Sequence, residues 1–285
     1  MVMGNEGEIL MGILDDYRGG NAIPALQTLD AKVDAALEER MSAIEGVYRN
    51  LIRDKSDSLL NHRSLNTEEY SSLCAKVKDL HISMQDYEDF WLHLRTVFSE
   101  HERKYLGQFI SALVQNLYDG GNDSFTINAG SVPFGLSNLG SYLCGTPNRP
   151  IKLVINGSCS DNLKLGSHIQ YADLVFNEKA NVFSAAFATK SVITFNDTAK
   201  SNCAFCVEYC TVLFNGPAES GCVGQAKSSH IIFNGSVEEY CGYHASNCRF
   251  ESPRLDVLQK IRNVSESPCW FYLLHPDGTS KEVKF

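Results

Sequence analysis

The sequence predicts an α+β chain: an N-terminal helical region, a hairpin or coiled coil, followed by a single-stranded parallel β-helix with nineteen-residue coils. Three observations predict it. Apolar residues recur in steps of three and four as far as Leu117. From Phe176 onward a Phe-Asn pair recurs every 19 residues. The charge divides at the same place: residues 1–125 hold 21 acidic and 12 basic side chains, the whole net charge of −9, and residues 126–285 hold 13 of each. The expected division is a tail over 1–21, a helical domain over 22–121, the β-solenoid over 122–252, and a cap over 253–285 made of a short helix and a β-hairpin.

In the helical domain, Leu26, Leu29, Val33, Leu37, Met41, Ile44, Tyr48 and Leu51 form one stripe. Asp30, Asp34, Glu38, Glu39, Arg40, Arg49 and Arg53 fill the opposite, solvated face. Asn66 with Glu69 three residues on has the form of a capping box. Tyr70, Leu73, Val77, Leu80 and Met84 continue a stripe, and Ser83 with Asp86 marks a break. Tyr87, Trp91, Leu94, Phe98, Tyr105, Phe109, Leu113 and Leu117 make a heavier aromatic stripe, stopped by Asp119-Gly120-Gly121. The pattern reads as two long helical segments, the second broken near residue 83. Helices packed within one chain and a coiled coil between chains both satisfy it, since 26–51 covers only about four heptads.

The repeat places Phe-Asn at 176, 195, 214 and 233, with Ile155-Asn156 21 residues before the first and Ile127-Asn128 28 before that. Pro133 and Pro147 lie in the intervening insertion. Small residues fall three places after each Asn (Ala180, Ala199, Ala218, Val237) and eleven places after (Ala188, Val207, Ala226, Ala245). A unit this short holds one turn of short strands and corners. Turns stack at roughly 4.8 Å, so equivalent residues line up in columns. Phe should stack in the core. Asn should occupy a corner, where it tolerates left-handed backbone and its amide bonds to the amides above and below. In the fifth coil Phe250 takes an inward place and Glu251-Ser252-Pro253 replaces Phe-Asn-Gly. The cap follows: a helix from Ser252-Pro253 through Leu255, Val257, Leu258 and Ile261, a strand over Trp270–Leu274, a turn at Pro276-Asp277-Gly278, and a returning strand over Lys281–Phe285.

Ile231-Ile232-Phe233-Asn234-Gly235-Ser236-Val237-Glu238-Glu239-Tyr240-Cys241-Gly242 resembles the Gly-x-Gly-x-Gly repeat. That repeat builds the right-handed β-helix at the C-terminus of the glutamate synthase large subunit and the β-helical subunit of formylmethanofuran dehydrogenase. Gly216 and Gly235 match its first glycine, where other coils carry Glu178 and Asp197. Gly242 matches the second, where other coils carry Ala185, Ala204 and Val223. The resemblance covers residues 152–252 and implies a domain that buttresses catalytic parts carried elsewhere. Nothing in this chain resembles those catalytic segments.

Ten cysteines remain to be explained. Cys203-x-x-Cys206-x-x-x-Cys210 has the short spacing of a zinc or iron–sulfur site. The repeat offers a structural reason instead. Cys203, Cys222 and Cys241 fall seven places after their Asn, in a column begun by Ser184. Cys210 and Cys248 fall fourteen after, alternating with Ser191 and Ser229. Buried structural thiols are expected, with a metal site or disulfides between coils as the alternatives. Cys206 shares a mixed column with Phe187, Gln225 and His244, and Glu208 lies nearby. His168, His230, His244 and His275 have no ligand spacing. Asp161, Asp173 and Asp197 are the acids a carbohydrate-active β-helix would need as a close pair. No phosphate-binding loop, dinucleotide fingerprint or nucleophile elbow is present.

No catalytic, cofactor-binding or metal residue is therefore assigned, and no cofactor is expected. The expected function is a non-catalytic scaffold whose helical half binds a protein partner or a second copy. The alternatives are an enzyme, as a subunit of a complex or a carbohydrate-active β-helix, and a cysteine-rich metal protein. Net negative charge argues against nucleic acid. The absence of a long apolar run argues against a membrane span. The acidic Met1–Glu6 start lacks the basic, apolar form of a secretory signal, so reduced thiols and a cytoplasmic setting are expected despite the ten cysteines.

Overall fold

A computed structural model describes residues 23–56, 65–97, 105–129, 136–157, 165–266 and 268–285. The tail over 1–21, Phe98, Pro133 and Asp161 lie outside them. The chain divides into two compact units, Met1–Gly46 and Val47–Phe285. Four helices come first: α1 (Ile23–Ser56), α2 (Thr67–Lys78), α3 (Met84–Val97) and α4 (Leu106–Asp119). The first unit holds the start of α1 and the second holds its remainder.

The capping box at α2 forms: Glu69 N donates to Asn66 Oδ1 at 3.0 Å, and Asn66 N donates to Glu69 Oε2 at 2.9 Å. The break near residue 83 is also capped, with Ser83 N donating to Asp86 Oδ2 at 2.8 Å. The second helical segment is not one broken helix. Among the described residues it is three helices, α2, α3 and α4, with α4 starting at Leu106. Phe109 of α4 meets Tyr48 and Phe90 with ring centroids 5.0 and 5.9 Å apart.

The remaining chain is a parallel β-solenoid. Its strands are β1 (Ser124–Asn128), β2 (Ile151–Asn156), β3 (Ala172–Phe176), β4 (Val192–Phe195), β5 (Thr211–Phe214), β6 (His230–Phe233), β7 (Arg249–Ser252), β8 (Trp270–Leu274) and β9 (Ser280–Glu282). They form one sheet in chain order, parallel from β1 to β8, with β9 antiparallel at the end. Helix α5 (Leu255–Arg262) interrupts the chain between β7 and β8.

Two inward columns fill the core. One is Phe125, Leu153, Leu174, Ile193, Val212, Ile231, Phe250 and Phe271. The other is Ile127, Ile155, Phe176, Phe195, Phe214 and Phe233. The four Phe rings of the second column stack with centroids 4.8–4.9 Å apart and planes within 12°. The expected end of the motif is off by one residue. Glu251 pairs with Ile232, so Phe250 belongs to the first column, and the ladder's continuation sets Ser252 in the Phe place. The reason is spacing: Phe250 follows Phe233 by 17 residues, two short of a coil.

The Asn column forms a side-chain ladder. Asn156 donates to Asn128, Asn177 to Asn156, Asn196 to Asn177, Asn215 to Asn196 and Asn234 to Asn215, at 2.8–3.0 Å. These Asn residues do not supply the left-handed backbone expected of them. Positive φ falls six, eight, ten and thirteen places later. At the sixth place stand Phe183, Asn202, Gly221 and Tyr240, and at the eighth Ala185, Ala204, Val223 and Gly242. At the tenth stand Phe187, Cys206, Gln225 and His244, and at the thirteenth Lys190, Tyr209, Ser228 and Asn247. Most carry a Cβ, at a cost of about 1 kcal/mol each. Alternation keeps the backbone bonded between coils: Phe183 N reaches Ser201 O in the following coil, Ala185 N reaches Leu165 O in the preceding one, and Phe187 N reaches Phe205 O in the following one. Gly242 fits its place twice over, since φ is +74° and a Cβ there would lie 2.8 Å from Ile261 Cγ2.

Both solenoid ends are covered. At the start, α4 lies on the first coil, so close that a Cβ on Gly107 would strike the Ser137 carbonyl. Gln115 acts as a surrogate peptide group. Its Nε2 donates to Cys144 O at 3.1 Å and its Oε1 accepts from Cys144 N at 2.9 Å. Ser111 Oγ accepts from Gly140 N at 2.8 Å. At the far end α5 buries Val257, Leu258 and Ile261, and β9 supplies a short edge with all three residues exposed. Short, charged edges resist pairing with other chains. Among the described residues, no helix is long and apolar enough to cross a membrane.

Candidate functional site

The columns fix where each chemically interesting side chain stands. The column seven places after Asn holds Ser184, Cys203, Cys222 and Cys241, all buried. Each thiol donates to a carbonyl of the preceding coil: Cys203 to Asn181 at 3.1 Å, Cys222 to Lys200 at 3.3 Å and Cys241 to Glu219 at 3.2 Å. The column fourteen places after holds Ser191, Cys210, Ser229 and Cys248, also buried. The reason for its Ser–Cys alternation lies in its bonds. Ser191 Oγ accepts from Ala172 N and Ser229 Oγ accepts from Cys210 N, both at 3.1 Å. Ser and Cys alike donate to a carbonyl two residues back, as Ser229 does to Lys227 at 2.7 Å and Cys248 to Ser246 at 3.3 Å.

Cys203, Cys206 and Cys210 thus stand in three columns. Two point into the core, and the half-buried Cys206 donates to Gln225 Oε1 at 3.3 Å. Burial pushes Cys210 up to about 11 and raises Cys222 strongly. Cys241 is raised by its contact with Cys222 and by burial. Raised in this way, Cys210, Cys222 and Cys241 are poor nucleophiles near neutral pH. Among the described residues, no group of three or more His, Cys, Asp or Glu side chains gathers where a metal could be held.

The other residues singled out are likewise dispersed. Gln225 occupies the coil between Cys206 and His244. His244 Nδ1 pairs with Glu266, and its ring lies 3.8 Å from that of Tyr243. Glu208 belongs to a bridge column with Thr189 and Lys227. Asp173 lies on β3 between Lys152 and Val192. Asp197 accepts from Thr198 N at 2.6 Å and from Thr198 Oγ1 at 3.2 Å, as a local turn cap. Asn156, Asn196 and Asn234 carry glycosylation sequons, yet their amides belong to the ladder.

One polar cluster was missed by sequence reasoning. The outward column of the sheet runs Thr126, Val154, Val175, Thr194, Leu213, Ile232, Glu251 and Tyr272. Glu251 is 6% exposed, the one carboxylate in that row. Arg249 Nε donates to it, and His230 Nε2 lies 3.1 Å away. The same guanidinium sits 4.0 Å above the Tyr272 ring and donates to Ser280 Oγ at 3.1 Å. The cluster clamps the β8–β9 hairpin onto the last coil. An acid in a row of Thr, Val, Leu and Ile was the signal that could have found it. A second outer feature is a ring stack: Tyr142 and His168 have centroids 5.0 Å apart, and His168 and Phe187 4.8 Å.

No protein-family model, no curated protein and no solved structure matches this chain.

Proposed function

We propose that the chain is a non-catalytic scaffold, in which the β-solenoid is a stiff platform and the acidic helical arm binds protein, first of all a second copy of the chain. One observation supports this above the rest. Among the described residues, the solenoid's repeated polar side chains are committed to its own columns: amides to the Asn ladder, the buried thiols Cys203, Cys222 and Cys241 to carbonyls of the preceding coil, and the buried carboxylate to Arg249. The resemblance to a repeat domain that buttresses catalytic parts supports the same reading. Free thiols such as Cys203 and Cys222 fit a reducing compartment, so we assign the protein to the cytoplasm.

Self-association is assigned to the early part of the α1 stripe. Leu37, on that stripe, is 36% exposed, whereas Tyr48 and Leu51 further along it are buried. Two acidic arms repel, so added salt should strengthen the contact. Light scattering on the full chain should return about twice 31.6 kDa. Val33→Lys with Leu37→Lys should return the single-chain mass without changing the solenoid's melting. A single-chain mass for the parent at high salt overturns the self-association.

A further inference from the structure

We propose that Cys248 and Cys269 form a thiol–disulfide exchange site, which a small disulfide such as oxidised glutathione converts into an intramolecular disulfide that fastens the C-terminal hairpin to the last coil. The inter-strand register points to this pair. Arg249 pairs with Trp270, so Cys248 and Cys269 are neighbours on adjacent parallel rungs, and Trp270 N donates to Cys248 O at 2.9 Å. Rungs stack at roughly 4.8 Å, inside the range of about 4.4–6.8 Å that disulfides span between Cα atoms. Both thiols point to the same side of the strand. Cys248 Sγ reaches Ser246 O at 3.3 Å, and Cys269 Sγ reaches Ala245 O at 3.4 Å.

Access separates this pair from the other stacked cysteines. Cys203, Cys222 and Cys241 also follow one another in a column, but all three are buried beyond the reach of a reagent. Cys248 is buried and Cys269 is half-exposed, so one thiol can be attacked from solvent while the other waits behind it. The neighbouring Cys248 side chain holds the Cys269 thiol down at about 7 against the opposing effect of burial, while the same contact and burial raise Cys248. Cys269 is the better thiolate and Cys248 the resolving thiol.

The exchange balances. The Cys269 thiolate attacks one sulfur of oxidised glutathione, forms a mixed disulfide and expels one glutathione thiolate. Cys248 then gives up its proton, attacks the Cys269 sulfur and expels the second glutathione. The protein loses two hydrogens and two reduced glutathiones leave.

The test is intact-mass and peptide mapping of the full chain after treatment with oxidised glutathione near pH 7, with unreacted thiols alkylated after unfolding. A Cys248–Cys269 crosslink should form, with Cys269 reacting at least about tenfold faster than Cys206, whose thiol is raised by burial. Serine already alternates with cysteine in this column, so Cys248→Ser and Cys269→Ser should both fold. Cys248→Ser should accumulate a lasting glutathione adduct on Cys269, and Cys269→Ser should give no crosslink. Oxidised parent should melt higher than reduced parent, and dithiothreitol should reverse the rise. Recovery of both cysteines alkylated in the parent, or a lasting adduct on parent Cys269, overturns the proposal.

Discussion

Phe214 gives the sharpest test of the stacked core. Its ring lies between Phe195, at 4.9 Å and 12°, and Phe233, at 4.8 Å and 10°, and is fully buried. Phe214→Leu keeps an apolar side chain but removes both ring contacts. Each contact is worth about 0.5–1.5 kcal/mol beyond area. The smaller side chain also leaves unfilled space, so the loss should be about 2–3 kcal/mol. Phe214→Ala should cost about 3–5 kcal/mol, and Phe214→Asp should abolish folding by burying an unpaired charge. Phe187→Leu is the comparison: Phe187 is 41% exposed and its closest ring contact is His168 at 4.8 Å, so its loss should be about 1 kcal/mol, below that of Phe214→Leu. Urea unfolding followed by far-ultraviolet circular dichroism measures all four. A Phe214→Leu cost no greater than that of Phe187→Leu, or a Phe214→Asp protein that melts like the parent, refutes the register.

Three further outcomes follow from the same geometry. Tyr209 is 59% exposed with φ of +55°, so Tyr209→Gly should stabilise by about 0.5–1 kcal/mol in urea titrations, whereas Tyr209→Val should destabilise. Gln115→Ala removes both bonds to Cys144, and should cost about 1–3 kcal/mol and speed hydrogen exchange at the Cys144 amide. Buried thiols predict alkaline weakening. Cys210 is pushed up to about 11, so between about 9 and 11 the unfolded chain has lost protons that the folded chain keeps. Stability should then fall as pH rises, by up to about 1.4 kcal/mol per pH unit per thiol, with Cys222 and Cys241 adding to the slope. Denaturant midpoints from pH 8 to 11 check this, and a flat profile contradicts it.

Much of the solenoid was legible because stacking makes each column choose one kind of residue. Phe-Asn every 19 residues, the small residues at the third and eleventh places, and the Ser–Cys columns all follow from that demand. The hairpin cap was legible for local reasons, a turn at Pro276–Gly278 between two strand-like runs. The left-handed corners were not, because Phe183, Lys190, Tyr209 and Val223 carry no sign of positive φ. Inter-coil hydrogen bonds impose those angles from outside the local sequence. Phe250 was read correctly as inward, but Glu251 was set in the Phe place one residue early, because the repeat's Phe and Asn are both missing from this coil and leave no marker of its register. The start of α4 at Leu106 was hidden by an apolar stripe that the sequence carries on through Tyr105 and Phe109. The Glu251 clamp needed the outward column to be written out residue by residue.

The register itself can be read directly. On chain selectively labelled at asparagine, nuclear Overhauser contacts should link the side-chain amide protons of Asn196 to Asn177 and Asn215, and those of Asn215 to Asn234, each 19 residues apart. Asn196 and Asn234, two coils apart, should show no direct contact. Contacts in that pattern match the stacked nineteen-residue coil. Their absence, or contacts at any other spacing, contradicts it.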